Sequence, residues 1–257
     1  FSLEIASIDG QVHFYIRTPT RVRSIIETQM YAQYPQAQVK EVEDYTLAID
    51  EISPESAWNG WGCELKLTKP EAYPIKTYVD YGLDKDPKEE FKVDPISPVI
   101  EFFGSLKKGE QAWMQIIITP SKKTYRTKGT WFGAHNWVKE AQNELLRLLE
   151  PFTAVRDEGK RIEIRTPDIY KRQVEAMTAK TGKIGFDTGI RFIYAAKKEV
   201  FDMTSRRNMR LLWRQYAAPD RNELWRCNST QADIYGGVFM SSPKTVMLLA
   251  NRMLNEY

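Results

Sequence analysis

The stretch LEIASIDGQVHFYIRTP, residues 3–19, carries the strongest local structural signals in the chain. Its Asp9-Gly10 pair stands between two runs of β-branched and aromatic residues, which is the pattern of a β-hairpin closed by a type I′ turn. Thr18 and Pro19 suit the start of a helix, because threonine caps a first turn and proline needs no N–H there. The stretch therefore predicts a strand, a second strand and a helix in succession.

Outward from this hairpin, strand and helix patterns alternate. Hydrophobic periodicity predicts a helix over 19–33, strands over 38–43 and 63–67, a short helix after Pro95 and a strand over 113–119. From Val12 onward the order is βαββαβ, which is typical of a ferredoxin-like sandwich. We therefore expect a ferredoxin-like unit over 1–120.

The second half of the chain repeats a local signal of the first. Ile16-Arg17-Thr18-Pro19 recurs as Ile164-Arg165-Thr166-Pro167, and a glutamate follows each proline by eight residues. The later elements are predicted as helices over 135–150, 167–181 and 205–217, strands over 188–196 and 222–227, and a last helix from Pro243. We therefore expect an α+β fold of two ferredoxin-like sandwich units with antiparallel sheets. The units are joined by a basic connector and linking helix over 121–151, and the second, degenerate unit spans 152–257.

Composition and motifs exclude several classes of protein. The 257 residues carry a formal net charge of +3, and the longest apolar runs are far shorter than the ~18 residues of a membrane span. The sequence contains no G-x-x-x-x-G-K-[ST] phosphate loop, no G-x-G-x-x-G motif and no Cys/His pattern with zinc-ligand spacing. We therefore expect no enzyme activity, no catalytic residue, no cofactor and no metal site. The two cysteines, Cys63 and Cys227, indicate a reducing compartment without deciding whether they form a disulfide.

One basic segment lies in the connector. It combines positive charge with aromatic side chains, Tyr125 and Trp131, in eleven residues that contain no acid. Such a segment can neutralise phosphates while its rings stack on bases, and an ordinary basic loop is the alternative. Its candidate binding residues are Lys122, Lys123, Arg126 and Lys128.

A second basic group lies on the predicted helix that follows Ser205. Arg207, Arg210 and Arg214 fall on one helical face with Arg206 beside them, opposite an apolar stripe of Met209, Leu212, Trp213 and Tyr216. These arginines suit a nucleic-acid backbone, an acidic partner or an anionic membrane surface, and a solvated helix face is the alternative.

Several longer strings resemble the region that precedes the motor domain in conjugation-type ATPases of the type IV secretion class. The strings are Phe14–Pro19, Tyr31–Pro35, Glu41–Tyr45, Leu65–Thr119, Gly189–Ala195 and Lys197–Glu199. The likeness covers about residues 1–119 and continues over 160–217. In such proteins membrane segments often come first, and a RecA-like motor of the HerA and conjugative-transfer kind follows. The motor's phosphate-binding and Mg²⁺-binding residues have no counterparts in this chain.

The resemblance implies a non-catalytic adaptor domain that docks a DNA-translocating motor to a membrane complex or to neighbouring subunits. The expected partners are the motor domain of the same chain, membrane-complex subunits and DNA, in an oligomeric parent protein. The expected location is cytoplasmic, peripheral to the inner membrane. Because the chain opens at Phe1 without methionine, we expect it to be part of a longer product. The alternative function is a stand-alone nucleic-acid-binding module.

Overall fold

The structure is a computed structural model that describes most of the chain. The described residues are 1–49, 52, 55–85, 94–122, 124–126, 134–152, 155–157, 160–162, 166–227 and 229, of which 124–126, 134–135, 155–157 and 160–162 are described by backbone alone. The predicted helix from Pro243 lies outside the described residues.

Strands and helices follow one another in a mixed order. The strands are β1 (Ser2–Ile8), β2 (Gln11–Arg17), β3 (Trp58–Leu67), β4 (Glu110–Pro120), β5 (Thr124–Arg126), β6 (Ala134–Asn136), β7 (Val155–Asp157), β8 (Lys160–Ile162), β9 (Phe186–Lys197) and β10 (Leu224–Cys227). The helices are α1 (Arg23–Gln33), α2 (Ser97–Gly104), α3 (Trp137–Leu149), α4 (Asp168–Thr181) and α5 (Met203–Met209).

Six of these strands form one open sheet in the order β10-β3-β9-β4-β1-β2, and every neighbouring pair is antiparallel. Two small hairpins, β5–β6 and β7–β8, lie outside this sheet. The α+β class with an antiparallel sheet is therefore confirmed.

The sheet combines strands from both predicted units. β9 and β10 come from the range 152–257, and β9 lies between β3 and β4 of the range 1–120. The two ranges therefore share one hydrophobic core.

The predicted strand over 38–43 was wrong. These residues are irregular, and Val42 is 61% exposed. Alternating charges among only two valines gave a strand pattern, but no apolar face is buried there to hold a strand in a sheet. The βαββαβ order of the first range therefore lacks its second strand.

The predicted Asp-Gly hairpin is confirmed. β1 and β2 pair from Ser2↔Arg17 to Ile8↔Gln11, and the two turn residues Asp9 and Gly10 have φ of 55° and 82°. Positive φ at both positions is what a type I′ turn requires. A Cβ on Gly10 would lie 2.4 Å from the carbonyl oxygen of Leu106, so the close approach of α2's C-terminal loop also requires glycine.

One face of the sheet carries the main core. Helices α2 and α5 cover this face with Val99, Phe103 and Met209, which pack against large side chains of the central strands. Trp61 and Tyr194 are 1% and 0% exposed there. The rings of Phe192 and Trp213 lie 4.6 Å apart between centroids, which joins β9 to the segment after α5.

The opposite face has a smaller core and a separate helical pair. Trp113 and Ile193 pack with Ile49, Tyr45 and Trp58 from the segments before and at the start of β3. The confirmed helices α3 and α4 pack together through Ala141 and Met177, which form a third cluster with Ala72. None of the described helices is both long enough and apolar enough to cross a membrane.

Candidate functional site

The predicted helix over 205–217 is shorter in the structure, and this redistributes its arginines. Helix α5 ends at Met209, Arg210 caps it, and a separate 3-10 turn spans Arg214–Tyr216. The predicted helix was therefore wrong beyond Met209. Arg210 and Arg214 line the same cavity, whereas Arg207 is exposed and is not among the residues that line it. The apolar stripe is confirmed.

Two of the four arginines are drawn toward the protein interior. Arg206 is only 9% exposed, and its Nε has no hydrogen-bond partner within the residues that the structure describes. The guanidinium carbon of Arg210 lies 5.4 Å from the centre of the Trp61 ring, which places the cation over an aromatic face. Arg207 and Arg214 are exposed.

A fifth arginine, which sequence reasoning missed, joins this group from strand β10. Arg226 lies directly opposite Leu65 on β3, and the two residues therefore share the sheet face that carries Cys63 and the main core. The strand itself was predicted, over 222–227. The sequence signal that could have identified Arg226 is its spacing of two residues from Leu224. In a strand, this spacing puts the two side chains on the same face, which here is the inward-facing one.

A cavity of about 150 Å³ separates β10 from the segment after α5. Arg210, Arg214 and Arg226 line it, together with Trp225, and Glu223 is the carboxylate among its described lining residues. We call this cavity, with these three arginines and the neighbouring Arg206, the arginine pocket. It has the composition of an anion-binding site.

Burial and repulsion between like charges both lower the pKa values of Arg206, Arg210 and Arg226. Burial and then the neighbouring charges of Arg210, Arg207 and Arg226 lower the pKa of Arg206. The pKa of Arg226 is lowered by burial and then by Arg210, and that of Arg210 by burial, with a further contribution from Arg207. Several like charges thus lie close together in a partly buried place.

The two cysteines are both free thiols and cannot be paired in this fold. Cys227 lies opposite Glu64 on β3, one position from Cys63, so the two thiols point to opposite faces of the sheet. Burial raises the pKa of Cys63 to about 12. This thiol is accordingly a core side chain rather than a nucleophile.

The structure leaves the predicted basic connector largely outside its described part. Lys122 is exposed, and Arg126 belongs to β5, where the backbone alone is described. Lys123 and Lys128 fall outside the described residues. The connector as a binding segment stays a prediction.

The edge of the sheet at β2 presents a second candidate surface. Leu65, Ile190, Ile116, Leu3 and Ile16 lie directly opposite one another on five neighbouring strands, on the face of the main core. The helices cover one end of this face, while the end at the outer strands remains open. Leu3 is 40% exposed, Ile16 36% and Phe14 66%.

Helix α1 follows β2 along the chain, after the 3-10 turn Thr20–Val22. It has 11 residues, all described, and none of them is buried. Ile25 is 62% exposed and Tyr31 44% exposed. We call the exposed side chains Leu3, Phe14, Ile16, Ile25 and Tyr31 the β2–α1 corner.

A row of polar side chains, all buried except the half-buried Glu64, crosses the other face of the sheet. Glu64, Arg191, Gln115 and Glu4 lie directly opposite one another on β3, β9, β4 and β1. Tyr45 donates its hydroxyl hydrogen to Glu4 Oε2 at 2.5 Å and accepts a hydrogen bond from Gln115 Nε2 at 3.0 Å. Arg191 Nη2 lies 3.7 Å from Glu64 Oε1, so ionic and hydrogen-bonded contacts join neighbouring members of the row and stabilise the sheet.

The described residues contain no group of three or more His, Cys, Asp or Glu side chains that could hold a metal ion. The arginine pocket and the β2–α1 corner are therefore the two candidate functional surfaces on the described part of the chain.

A family model named "Domain of unknown function (DUF8128)" matches residues 1–222. The chain belongs to the DUF8128 family. No curated protein and no solved structure matches the chain. The DUF8128 match includes the β2–α1 corner and the arginines of the α5 segment, whereas strand β10 with Trp225 and Arg226 follows its last matched residue.

Proposed function

We propose that this chain is the non-catalytic adaptor domain of a conjugation-type, type IV secretion DNA-translocating ATPase, and that it docks the motor to neighbouring subunits. The resemblance of residues 1–119 and 160–217 to the pre-motor region of such ATPases supplies the class of protein. The open β2–α1 corner is the observation that supports a docking role.

The corner needs a partner for energetic reasons. An isolated helix shorter than ~12–15 residues is marginal in water, because helical stability comes chiefly from packing an apolar face. Helix α1 has 11 residues and buries none of them. A protein surface placed against Ile25 and Phe14 would supply the packing that the domain itself does not provide.

The adjoining strand offers backbone groups to the same partner. Among the described strands, β2 forms the outer edge of the sheet and pairs with β1 on its other side. The free edge of such a strand accepts a further strand, and the apolar row that ends at Ile16 would continue under it. Both features favour a protein partner over a small molecule.

We infer that the partner is a neighbouring subunit of the same oligomer. The β2 edge and the β10 edge lie at opposite sides of the described sheet, about 24 Å apart at ~4.8 Å per strand. A subunit that binds at the β2 edge through a different surface of its own would make a head-to-tail contact, which closes a ring when the rotation allows.

Two exposed substitutions in the corner test this role. In the full parent protein, Phe14→Lys together with Ile25→Asp is expected to weaken subunit association at least about 30-fold, the effect of losing one interface hot spot. Sedimentation velocity over a concentration series measures the association. Both side chains are exposed, so the fold of the subunit should stay unchanged by circular dichroism.

Ile184→Asp is the matched control, because Ile184 is 85% exposed and lies on the loop before β9. Association should be unaffected by this change. An oligomer that survives the Phe14 and Ile25 substitutions would contradict the proposal, and loss of a membrane-complex contact without loss of the oligomer would assign the corner to that complex instead.

A further inference from the structure

The exposed apolar surface at the β2 edge continues inward across the sheet. Leu3 and Ile16 belong to an apolar row that passes through Ile116 on β4 and Ile190 on β9. Ile116 and Ile190 are only half-buried, although they lie on the face that carries the main core. We call Leu3, Phe14, Ile16, Ile116 and Ile190 the open face.

The open face is apolar, and the helices of the chain leave it uncovered. Phe14 is 66% exposed, Leu3 40% and Ile16 36%. Helices α2 and α5 cover the neighbouring part of the same face, around Phe103 and Met209. An apolar sheet face is normally buried against another layer of structure. The open face therefore fits a partner segment that carries an apolar stripe.

The dimensions of the open face suit a helix. The four strands β9, β4, β1 and β2 span about 14 Å at ~4.8 Å per strand. A helix laid along the row from Ile190 to Ile16 covers that length with about ten residues, at ~1.5 Å per residue. An added strand would pair with the edge of β2 and would leave Ile116 and Ile190 uncovered.

The chain has a segment of this kind outside the described residues. The sequence predicts a helix from Pro243, in which Val246, Leu249 and Met253 fall on one side. Asn251 falls on the opposite side, so the predicted helix is amphipathic. As a helix, residues 243–257 would be about 22 Å long, which exceeds the length of the apolar row.

The course of the chain after β10 favours the segment of a second copy. Trp61 Nε1 donates a hydrogen bond to the hydroxyl oxygen of Ser229 at 3.0 Å. Trp61 is 1% exposed and packs in the same cluster as Met209 of α5. The chain thus leaves the sheet on the side opposite to β2, where the helices cover the face. In a head-to-tail contact this side of one subunit meets the β2 edge of the next, within the ~45 Å reach of residues 230–242.

We propose that residues 243–257 of one subunit pack as an amphipathic helix on the open face of the next subunit. Val246, Leu249 and Met253 contact the row from Ile190 to Ile16, and Asn251 faces water. This inference rests on the proposed function, because it names the segment through which the neighbouring subunit binds.

Leu249→Asp in the full parent protein is expected to weaken subunit association at least about tenfold, because it puts a carboxylate into an apolar contact. Asn251→Asp is the matched control, since it adds the same charge to the opposite side of the predicted helix, and it should associate like the unchanged protein. Sedimentation velocity over a concentration series measures both variants, and circular dichroism checks that each is folded.

A double-mutant cycle tests whether the helix and the open face meet. Phe14→Lys combined with Leu249→Asp is expected to weaken association at least about fivefold less than the product of the two separate effects, because contacting residues are energetically coupled. Sedimentation velocity of the two single variants and the double variant supplies the comparison. Fully independent effects would overturn the proposal.

Cysteine cross-linking shows which copy supplies the helix. One preparation of the parent protein carries Phe14→Cys, and a second, marked by a mass tag, carries Leu249→Cys. After mixing and mild oxidation, we expect a disulfide-linked pair that contains one chain of each kind. Asn251→Cys in place of Leu249→Cys is the control and should give no such pair. When one chain carries both substitutions, a disulfide closed within that chain would overturn the proposal.

The outcomes separate this inference from the docking role. If Phe14→Lys with Ile25→Asp disperses the oligomer while Leu249→Asp leaves it intact, this inference fails and the docking role stands. If neither change affects the oligomer, both fail. Weakening by Leu249→Asp, coupling to Phe14→Lys and a disulfide between different chains would together support the neighbouring subunit's helix as the occupant of the open face.

Discussion

Replacement of Asn222 by alanine is expected to lower the free energy of unfolding by roughly 3–5 kcal/mol. Asn222 is fully buried, and its side chain bonds the backbone of the loop 68–73. Its Oδ1 accepts from the backbone N–H of Lys69 at 2.9 Å and of Thr68 at 3.2 Å. Its Nδ2 donates to the carbonyls of Lys69, Pro70 and Tyr73 at 3.0–3.2 Å.

The size of this effect comes from what alanine leaves behind. Each buried backbone group that loses its partner costs about 1–3 kcal/mol, and the loop 68–73 has several such groups around one side chain. Urea unfolding followed by circular dichroism measures the change. Asn208→Ala, at an exposed position of α5, is the control and should stay within about 0.5 kcal/mol of the unchanged chain. A loss below about 1 kcal/mol for Asn222→Ala would contradict this role.

Tyr45→Phe is expected to lower the free energy of unfolding by about 2 kcal/mol. The Tyr45 hydroxyl joins Glu4, which is 4% exposed, to Gln115, which is 1% exposed. Without this oxygen, the buried Glu4 carboxylate loses a hydrogen-bond donor and the buried Gln115 amide loses a hydrogen-bond acceptor. The ring itself remains, so its stacking on Tyr15 at 4.8 Å should persist.

The matched control is Tyr34→Phe, because Tyr34 is 63% exposed. It removes the same hydroxyl from a solvated position and should change stability by less than about 0.5 kcal/mol. Equal unfolding midpoints for the two variants would show that the polar row contributes nothing to the sheet.

Local sequence patterns were sufficient to predict those elements whose structure depends on neighbouring residues along the chain. The Asp9-Gly10 turn is confirmed because positive φ at both positions is a property of those two residues. The helix 135–150 is confirmed as α3, since Asn136 caps it and its apolar face repeats at helical spacing.

Strand partners depend on distant residues and were not predictable in the same way. The strand over 188–196 is confirmed within β9, but its place between β3 and β4 follows from pairing with residues that lie more than 60 positions earlier in the chain. The alternating pattern of β9 does not indicate which strands pair with it. The repeated Ile-Arg-Thr-Pro sequence suggested instead that residues 152–257 form a separate unit. Long-range pairing is decided by the shared core, which a local pattern does not record.

The arginine pocket shows the same limit at the level of a site. The apolar stripe of Met209 and Trp213 was predicted correctly, because burial of large side chains governs that segment. The predicted length of the helix was wrong, because the helix ends at Met209 and a separate 3-10 turn follows at Arg214–Tyr216. Arg226 joins the pocket through the pairing of β10 with β3, which brings it to residues more than 150 positions earlier.

The central claim, that this DUF8128 domain serves a DNA-translocating motor, is tested most directly by the sequence of the native gene product that contains it. The account predicts an apolar membrane segment before Phe1 and a motor with a G-x-x-x-x-G-K-[ST] phosphate loop after Tyr257. A native product that ends near Tyr257, with no motor domain, would contradict it.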